Sequence, residues 1–208
     1  MILFKDLGIS SYEKTWDLQK NLQSKRISNE INDTVLLVEH EPVYTFGKNA
    51  NEDHLLQNYP DDVKVYHIER GGDITFHGPG QLVGYPIIDL HNYKKSVSWY
   101  MRTLESLIMD TLQEYEISSS RKEGLAGVWV NDKKIAALGV RMSRWVTMHG
   151  FALNVNTDLH YYNGIIPCGI FEYGITSMEN ELGKELPMDE VKNVLMKHFR
   201  STFQEEKN

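Results

Sequence analysis

Arg70-Gly71-Gly72-Asp73-Ile74-Thr75-Phe76-His77-Gly78-Pro79-Gly80-Gln81-Leu82-Val83-Gly84-Tyr85-Pro86 is the stretch on which the reading of this chain turns. It sets five glycines and two prolines around Arg70, Asp73 and His77. Glycine costs backbone entropy, so such density marks either a pair of tight turns or a backbone brought close to a ligand. A dinucleotide loop is excluded by spacing, because the third glycine of Gly78-Pro79-Gly80-Gln81-Leu82-Val83-Gly84 comes one position late and a proline separates the first two. The apolar run from Leu82 to Ile88 then reads as a buried strand.

Strand patterns extend to both sides. Thr34 to Glu39, Val43 to Phe46 and Val63 to Ile68 lie upstream. Downstream, Gly127 to Val130, a turn at Asn131-Asp132 and Lys134 to Arg141 read as a hairpin, followed by a strand from Phe151 to Val155. Three helices are expected. One starts behind a Ser11 cap with Tyr12 and Trp16 a turn apart. One runs from Ser96 to Glu116, where Val97, Tyr100, Met101, Leu104, Leu107, Ile108, Leu112 and Tyr115 recur at the helical period. The last is opened by Pro187 and carries Met188, Val191, Leu195, Phe199 and Phe203 on one face. Strands and long helices alternate without a regular βαβ beat. This predicts an α/β (α+β) fold in which a mixed β-sheet is packed with helices, as a single catalytic domain over residues 1–208.

Composition narrows the function. The 208 residues carry 22 Lys and Arg against 29 Asp and Glu, a formal charge of −7, so no global field draws the chain to nucleic acid or an anionic membrane. The N-terminus meets Lys5 and Asp6 at once, and no apolar run reaches transmembrane length, which reads as a cytoplasmic protein. The single cysteine, Cys168, forms no internal disulfide and suits a reducing compartment. Neither Gly47-Lys48 nor Gly183-Lys184 sits in a phosphate-binding loop, and His40-Glu41-Pro42 lacks the second histidine of a zinc-protease motif. No metal or cofactor is called for, and a monomer is expected.

Cys168, between Pro167 and Gly169, lies in an irregular segment that presents a side chain; it reads as a nucleophile or as a small buried hydrophobe. Lys134 opens an apolar strand with Ala136, Leu138 and Val140 on its own face by alternation, so its amine ends among apolar groups. Lys133 competes equally, since the opposite face, Ile135, Ala137 and Gly139, is apolar too.

Taken in order, the stretch Arg70 to Pro86, Gly127-Val128-Trp129-Val130, Lys134 to Arg141, Ser143 to Asp158 and Ile166-Pro167-Cys168-Gly169-Ile170 resembles the octanoyltransferase family of the lipoate and biotin protein ligase superfamily. The resemblance runs from about residue 34 to residue 180 and implies the fold of those ligases. It implies transfer of an octanoyl group from octanoyl-acyl carrier protein to one lysine of a lipoyl domain, as found in 2-oxoacid dehydrogenase E2 subunits and the glycine cleavage H protein. It makes Cys168 the acyl-thioester nucleophile and selects Lys134 over Lys133 as the group that lowers the thiol's pKa. Acyl-binding segments carry over to Arg70, Gly71, Gly72, Asp73, Ile74, Thr75, Phe76 and His77, to Ala137, Leu138 and Gly139, and to Gly150, Phe151 and Ala152.

The chemistry suits these residue types. A thiolate relay splits acyl transfer into two exchanges of modest barrier, and a free thiol with pKa about 8.5 is only a few per cent ionised at neutral pH without a cation beside it. Acylation then deletes the anion that holds the ammonium charged, which leaves the same lysine able to take a proton from the incoming amine. Backbone amides near His77 and Gly78, or in the Cys168 turn, are candidate oxyanion donors. Because carrier proteins and this chain are both acidic, a local basic rim is expected, drawn from Lys94, Lys95, Arg121, Lys122, Lys133, Arg141 and Arg144. The rival readings are an ATP-dependent lipoate ligase, which needs no cysteine, and a non-catalytic acyl- or lipoyl-domain-binding module.

Overall fold

The computed structural model describes residues 2–57, 59–60, 63–166 and 173–205. Its larger sheet joins β1 (Leu3–Ser10), β2 (Thr34–His40), β6 (Gln81–Ile87), β10 (Val146–Asn154), β9 (Lys133–Ser143), β8 (Leu125–Val130) and β7 (Ser120–Lys122) in that spatial order. β1 runs parallel to β2, the remaining neighbours on this path are antiparallel, and the short β11 (Gly174–Ile175) lies parallel to β9 at Lys133 and Lys134. A smaller sheet orders β4 (Lys64–His67), β3 (Val43–Phe46) and β5 (Thr75–His77).

Helices cover both faces of the larger sheet. α2 (Val97–Gln113) begins where the Ser96 hydroxyl accepts the Trp99 N–H at 3.2 Å, a side-chain cap that satisfies one of the open amides of the first turn. Its Leu104, Leu107, Ile108 and Leu112 pack with Val191, Leu195, Phe199 and Phe203 of α4 (Met188–Glu205) against Val128, Leu138, Phe151 and Leu153 of the sheet. Each such fully buried side chain contributes on the order of 1.5–3 kcal/mol of transfer free energy. On the other face, α1 (Tyr12–Ile27) sets Leu22 against Leu36, Val38, Val83 and Ile87. Lys25 and Arg26 in its last turn suit the negative end of the helix dipole, and Arg26 also bonds Asp33 at 2.8 Å. β6 and β10 approach so closely that a side chain at Gly84 would occupy the Phe151 ring. A short helix α3 (Met178–Leu182) leads into α4.

The structure departs from the sequence reading at several points. β1 was not expected: its pattern is mostly exposed, with Leu3 and Ile9 facing solvent, so it lacks the alternation that marks a half-buried strand. β7, β11 and α3 are likewise too short to carry a period. The Ser11 side chain makes no capping bond although it stands at the N-cap. β10 begins five residues before Phe151, after a two-residue turn in which Arg144 and Trp145 both have positive φ.

Candidate active site

A cavity of about 350 Å³ lies between β9 and β10 on one side and the segment Arg70 to His77 on the other, with Tyr12 of α1 behind. The volume falls within the range of small-molecule sites.

Lys134 closes one end. It is 6% exposed, its Nζ lies 4.8 Å from the centroid of the Trp129 ring, and its backbone pairs with Ile175 of β11. Strict alternation would turn it to the core beside Ala136. Instead β9 carries one more residue than β8 between the pairs Trp129–Lys134 and Val128–Ala136. That bulge moves Lys134 to the face that holds Ala137 and Gly139, while Ala136 and Leu138 stay in the core beneath α2. Lys133 points to solvent.

The opposite wall is polar and buried. Arg70 is 7% exposed and clamps β3, its Nη2 donating to the Thr45 carbonyl at 2.5 Å and to the Thr45 hydroxyl at 2.9 Å. Asp73 accepts its neighbour Ile74's N–H at 2.7 Å and pairs with His54 at 2.6 Å. At His77 a chain of bonds leaves the cavity: Gln81 Nε2 donates to Asn154 at 2.9 Å and to the Phe76 carbonyl at 3.2 Å, which turns Gln81 Oε1 toward His77 Nδ1 at 2.9 Å. Gln81 Oε1 only accepts, so His77 carries its proton on Nδ1 and presents Nε2 as an acceptor. Burial, followed by the neighbouring His40, pulls the His77 pKa well below the ordinary value and keeps the ring neutral. Tyr12 stacks on His77 at 5.9 Å, and burial raises its hydroxyl above the usual phenol range.

Of the residues carried over from the family resemblance, Arg70, Gly72, Asp73, Ile74, Thr75, His77, Lys134, Ala137, Leu138, Gly139, Gly150, Phe151 and Ala152 line this cavity. Two do not. Alternation along β5 sends Thr75 and His77 inward but Phe76 outward, into the core of the small sheet, where it stacks on Tyr161 at 4.7 Å. Gly71 lies behind the wall and donates its N–H to Val140 at 3.0 Å, tying the glycine loop to β9. Cys168 lies outside the described residues. The chain before it is tied by the Ile166 N–H to the His54 carbonyl at 2.8 Å, and the chain after it by the Gly174 N–H to the Asp132 carbonyl at 3.1 Å. Cavity residues that sequence reasoning missed include Tyr12, Tyr85, His149 and Asn154. Tyr85 and His149 stand within the quoted motifs, but nothing in their spacing separates wall from core.

The mixed sheet flanked by helices is the fold that this chain shares with lipoate and biotin protein ligases. The chain superposes on a bipartite lipoate protein ligase from Thermoplasma acidophilum with a TM-score of 0.69 at 15% identity, covering 98% of this chain and 83% of that one. It superposes on the biotin protein ligase of Aquifex aeolicus, in complex with biotin and ATP, with a TM-score of 0.63 at 17% identity, covering 99% and 72%. The sequence is more specific than the fold. Residues 11–200 match the lipoyl protein ligase A/B catalytic domain. The octanoyltransferase of Christiangramia forsetii is 46% identical, covering 97% of this chain and 95% of that protein, and further octanoyltransferases match at 42–47%. The chain belongs to this family, among its octanoyltransferases, and is an acyltransferase enzyme of lipoate biosynthesis.

Proposed function

We propose that the enzyme, acting as one catalytic domain, takes the octanoyl group from octanoyl-acyl carrier protein onto Cys168 and delivers it to a lysine of a lipoyl domain. The acceptors are the lipoyl domains of 2-oxoacid dehydrogenase E2 subunits and the glycine cleavage H protein. The observation that supports this reading is the Lys134 amine, buried at the end of the acyl-sized cavity and held there by the bulge in β9.

In the first half-reaction the Cys168 thiolate attacks the donor carbonyl, the tetrahedral intermediate collapses with cleavage of the donor's carbon–sulfur bond, and the carrier leaves as a thiol with the proton of the Lys134 ammonium, which becomes a neutral amine. In the second, the acceptor amine gives up a proton to Lys134 and attacks the new thioester. An amide forms, the carbon–sulfur bond breaks, and the Cys168 thiolate returns. Ala137 and Ala152 leave room for the chain, since neither has a side chain larger than a methyl group, whereas Gly139 and Gly150 let the Gly71 and Gly84 carbonyls pack against the wall. Among the described residues no helix is long and apolar enough to cross a membrane.

Incubation with octanoyl-acyl carrier protein and no ATP tests the reading directly. Intact-mass measurement should find one octanoyl adduct, mapped to Cys168 and absent in Cys168→Ser, and addition of a lipoyl domain should discharge it. Transfer that requires ATP, or that proceeds undiminished in Cys168→Ser, rejects the thioester route.

A further inference from the structure

His149 sits in the middle of β10 with φ +58, a left-handed conformation that a non-glycine residue adopts at a cost. Its neighbours of the same parity, Phe151 and Leu153, point into the core beneath α2. The left-handed turn takes His149 out of that alternation and brings its ring beside Tyr85, on the cavity wall, with centroids 6.4 Å apart. The Gln19 side chain of α1 accepts the His149 N–H at 3.0 Å and holds the strand in this shape.

The conformation leaves a debt in hydrogen bonds. The residue is 1% exposed, and among the described residues neither ring nitrogen has a partner. Gln19 Nε2, fully buried at the same spot, lacks one too. Leaving a buried polar group unpaired is unfavourable, and an octanoyl chain has no polar atom at its far end to satisfy it. Burial, with Arg70, Arg141 and Lys20 in support, pulls the ring's pKa down to about 3. It is therefore neutral and offers one N–H and one acceptor nitrogen, the complement of a hydroxyl group.

Position along the strand matches that complement to the end of a chain. His149 faces Val140, six residues along β9 from Lys134, which is roughly 20 Å at 3.3 Å per residue, less the bulge. A lysine side chain followed by an extended eight-carbon chain spans on the order of 15 Å. A chain whose carbonyl is handled at Lys134 thus brings its last carbons to His149.

We propose that His149 forms a hydrogen-bonding subsite at the inner end of the cavity, which accepts a medium-chain acyl group bearing a hydroxyl at its distal carbon. The proposal rests on the acyl-transfer reading for the direction of the chain. The bonds made and broken are those of octanoyl transfer, and the hydroxyl is bound without reacting.

The test compares octanoyl and 8-hydroxyoctanoyl thioesters of the carrier protein as donors for the wild-type enzyme, His149→Leu and His149→Asn. The wild type should use the two with kcat/KM values within about threefold of each other. In His149→Leu the ratio of hydroxyoctanoyl to octanoyl should fall by about 10- to 100-fold, the usual consequence of burying an unpaired hydroxyl. His149→Asn, which keeps hydrogen-bonding capacity and tolerates positive φ, should recover part of it. A ratio that is the same in wild type and His149→Leu, or a wild type that already rejects the hydroxylated chain tenfold, overturns the subsite. Octanoyl transfer by the wild type is the separate control for the activity itself. If that control fails, calorimetric binding of free 8-hydroxyoctanoate and octanoate to the same three proteins still decides: equal preference in wild type and His149→Leu overturns the proposal.

Discussion

Gly127 and Lys134 face each other across β8 and β9 so tightly that a methyl group at position 127 would lie 3.2 Å from Lys134 Cε and 2.8 Å from the Ala136 carbonyl. Gly127 also has φ +139, where a side chain is strained whatever the space around it. The missing side chain is thus the channel through which the lysine stem runs, with Trp129 closing it. With Lys134 in the proton-transfer role proposed above, Gly127→Ala is expected to displace the amine and lower kcat by about 10- to 100-fold, in keeping with the sensitivity of reacting groups to displacements near 1 Å. A kcat within twofold of wild type in folded enzyme would show that the amine tolerates the shift.

Glu105 of α2 holds that glycine. Only 3% exposed, it accepts the Gly127 N–H at 3.2 Å on one oxygen and bonds Arg121 at 2.9 Å and Arg102 at 3.0 Å through the other. Glu105→Ala should cost about 2–4 kcal/mol by leaving the amide and Arg121 uncompensated, a Tm lower by roughly 5–15 °C. Glu105→Gln keeps an acceptor for Gly127 and should lose less than half as much. Equal losses in thermal melts of the two variants would assign the effect to the charge alone.

How much of this was legible in the sequence depended on whether a residue obeyed its local period. α2 and α4 bury one stripe each, so Leu104, Leu107, Val191 and Leu195 announce themselves. β1 buries little and is silent. Alternation left Lys133 and Lys134 equal and assigned Lys134 to the wrong face, because a bulge is an extra residue in pairing and has no residue type that betrays it. Phe76 was grouped with Thr75 and His77 by a contiguous motif, whereas a strand divides its residues between two faces. His149 carried no signal at all, since a histidine in a strand pattern gives no hint of positive φ.

Three buried histidines should make the fold acid-sensitive. Burial pulls His40 down to about 4, with its bond to the Ser10 carbonyl in opposition, pulls His149 down to about 3, and takes His77 well below the ordinary 6.5. In the unfolded chain these rings take up protons from about pH 6.5 downward, while in the folded protein they stay neutral until far lower pH. Their contribution to stability is therefore complete above pH 6.5 and is lost as pH falls toward 4 and 3. At pH 5 the loss is on the order of 2 kcal/mol for each ring. Thermal melts should show Tm falling by more than about 8 °C between pH 7.5 and 5, and calorimetry at pH 5 should find two to three protons taken up on unfolding. A flat Tm over that interval would mean that the rings are protonated in the folded state.

The basic rim expected for an acidic carrier protein resolves into unequal parts. Arg121 is engaged by Glu105, Arg141 pairs with Glu69 at 3.5 Å, and Arg144 sits in the turn ten residues along β9 from Lys134. Lys133 is exposed beside Lys134, and Lys122 lies 4.5 Å from the Tyr173 ring while pairing with the exposed Asp132 at 2.6 Å. These last two lie on the strands around Lys134, the residue proposed to handle the proton in acyl transfer. Reversing both, as Lys122→Glu with Lys133→Glu, is expected to raise KM for the octanoyl carrier protein by at least tenfold at low salt. The change should be less than twofold for a small octanoyl thioester that carries no protein. Arg144→Glu should matter little for either donor. The penalty should shrink as salt rises from 50 to 500 mM, because screening at that strength reaches a few ångströms. If the small thioester suffers equally, the lysines shape the site itself; if neither donor is affected at low salt, docking proceeds through another face.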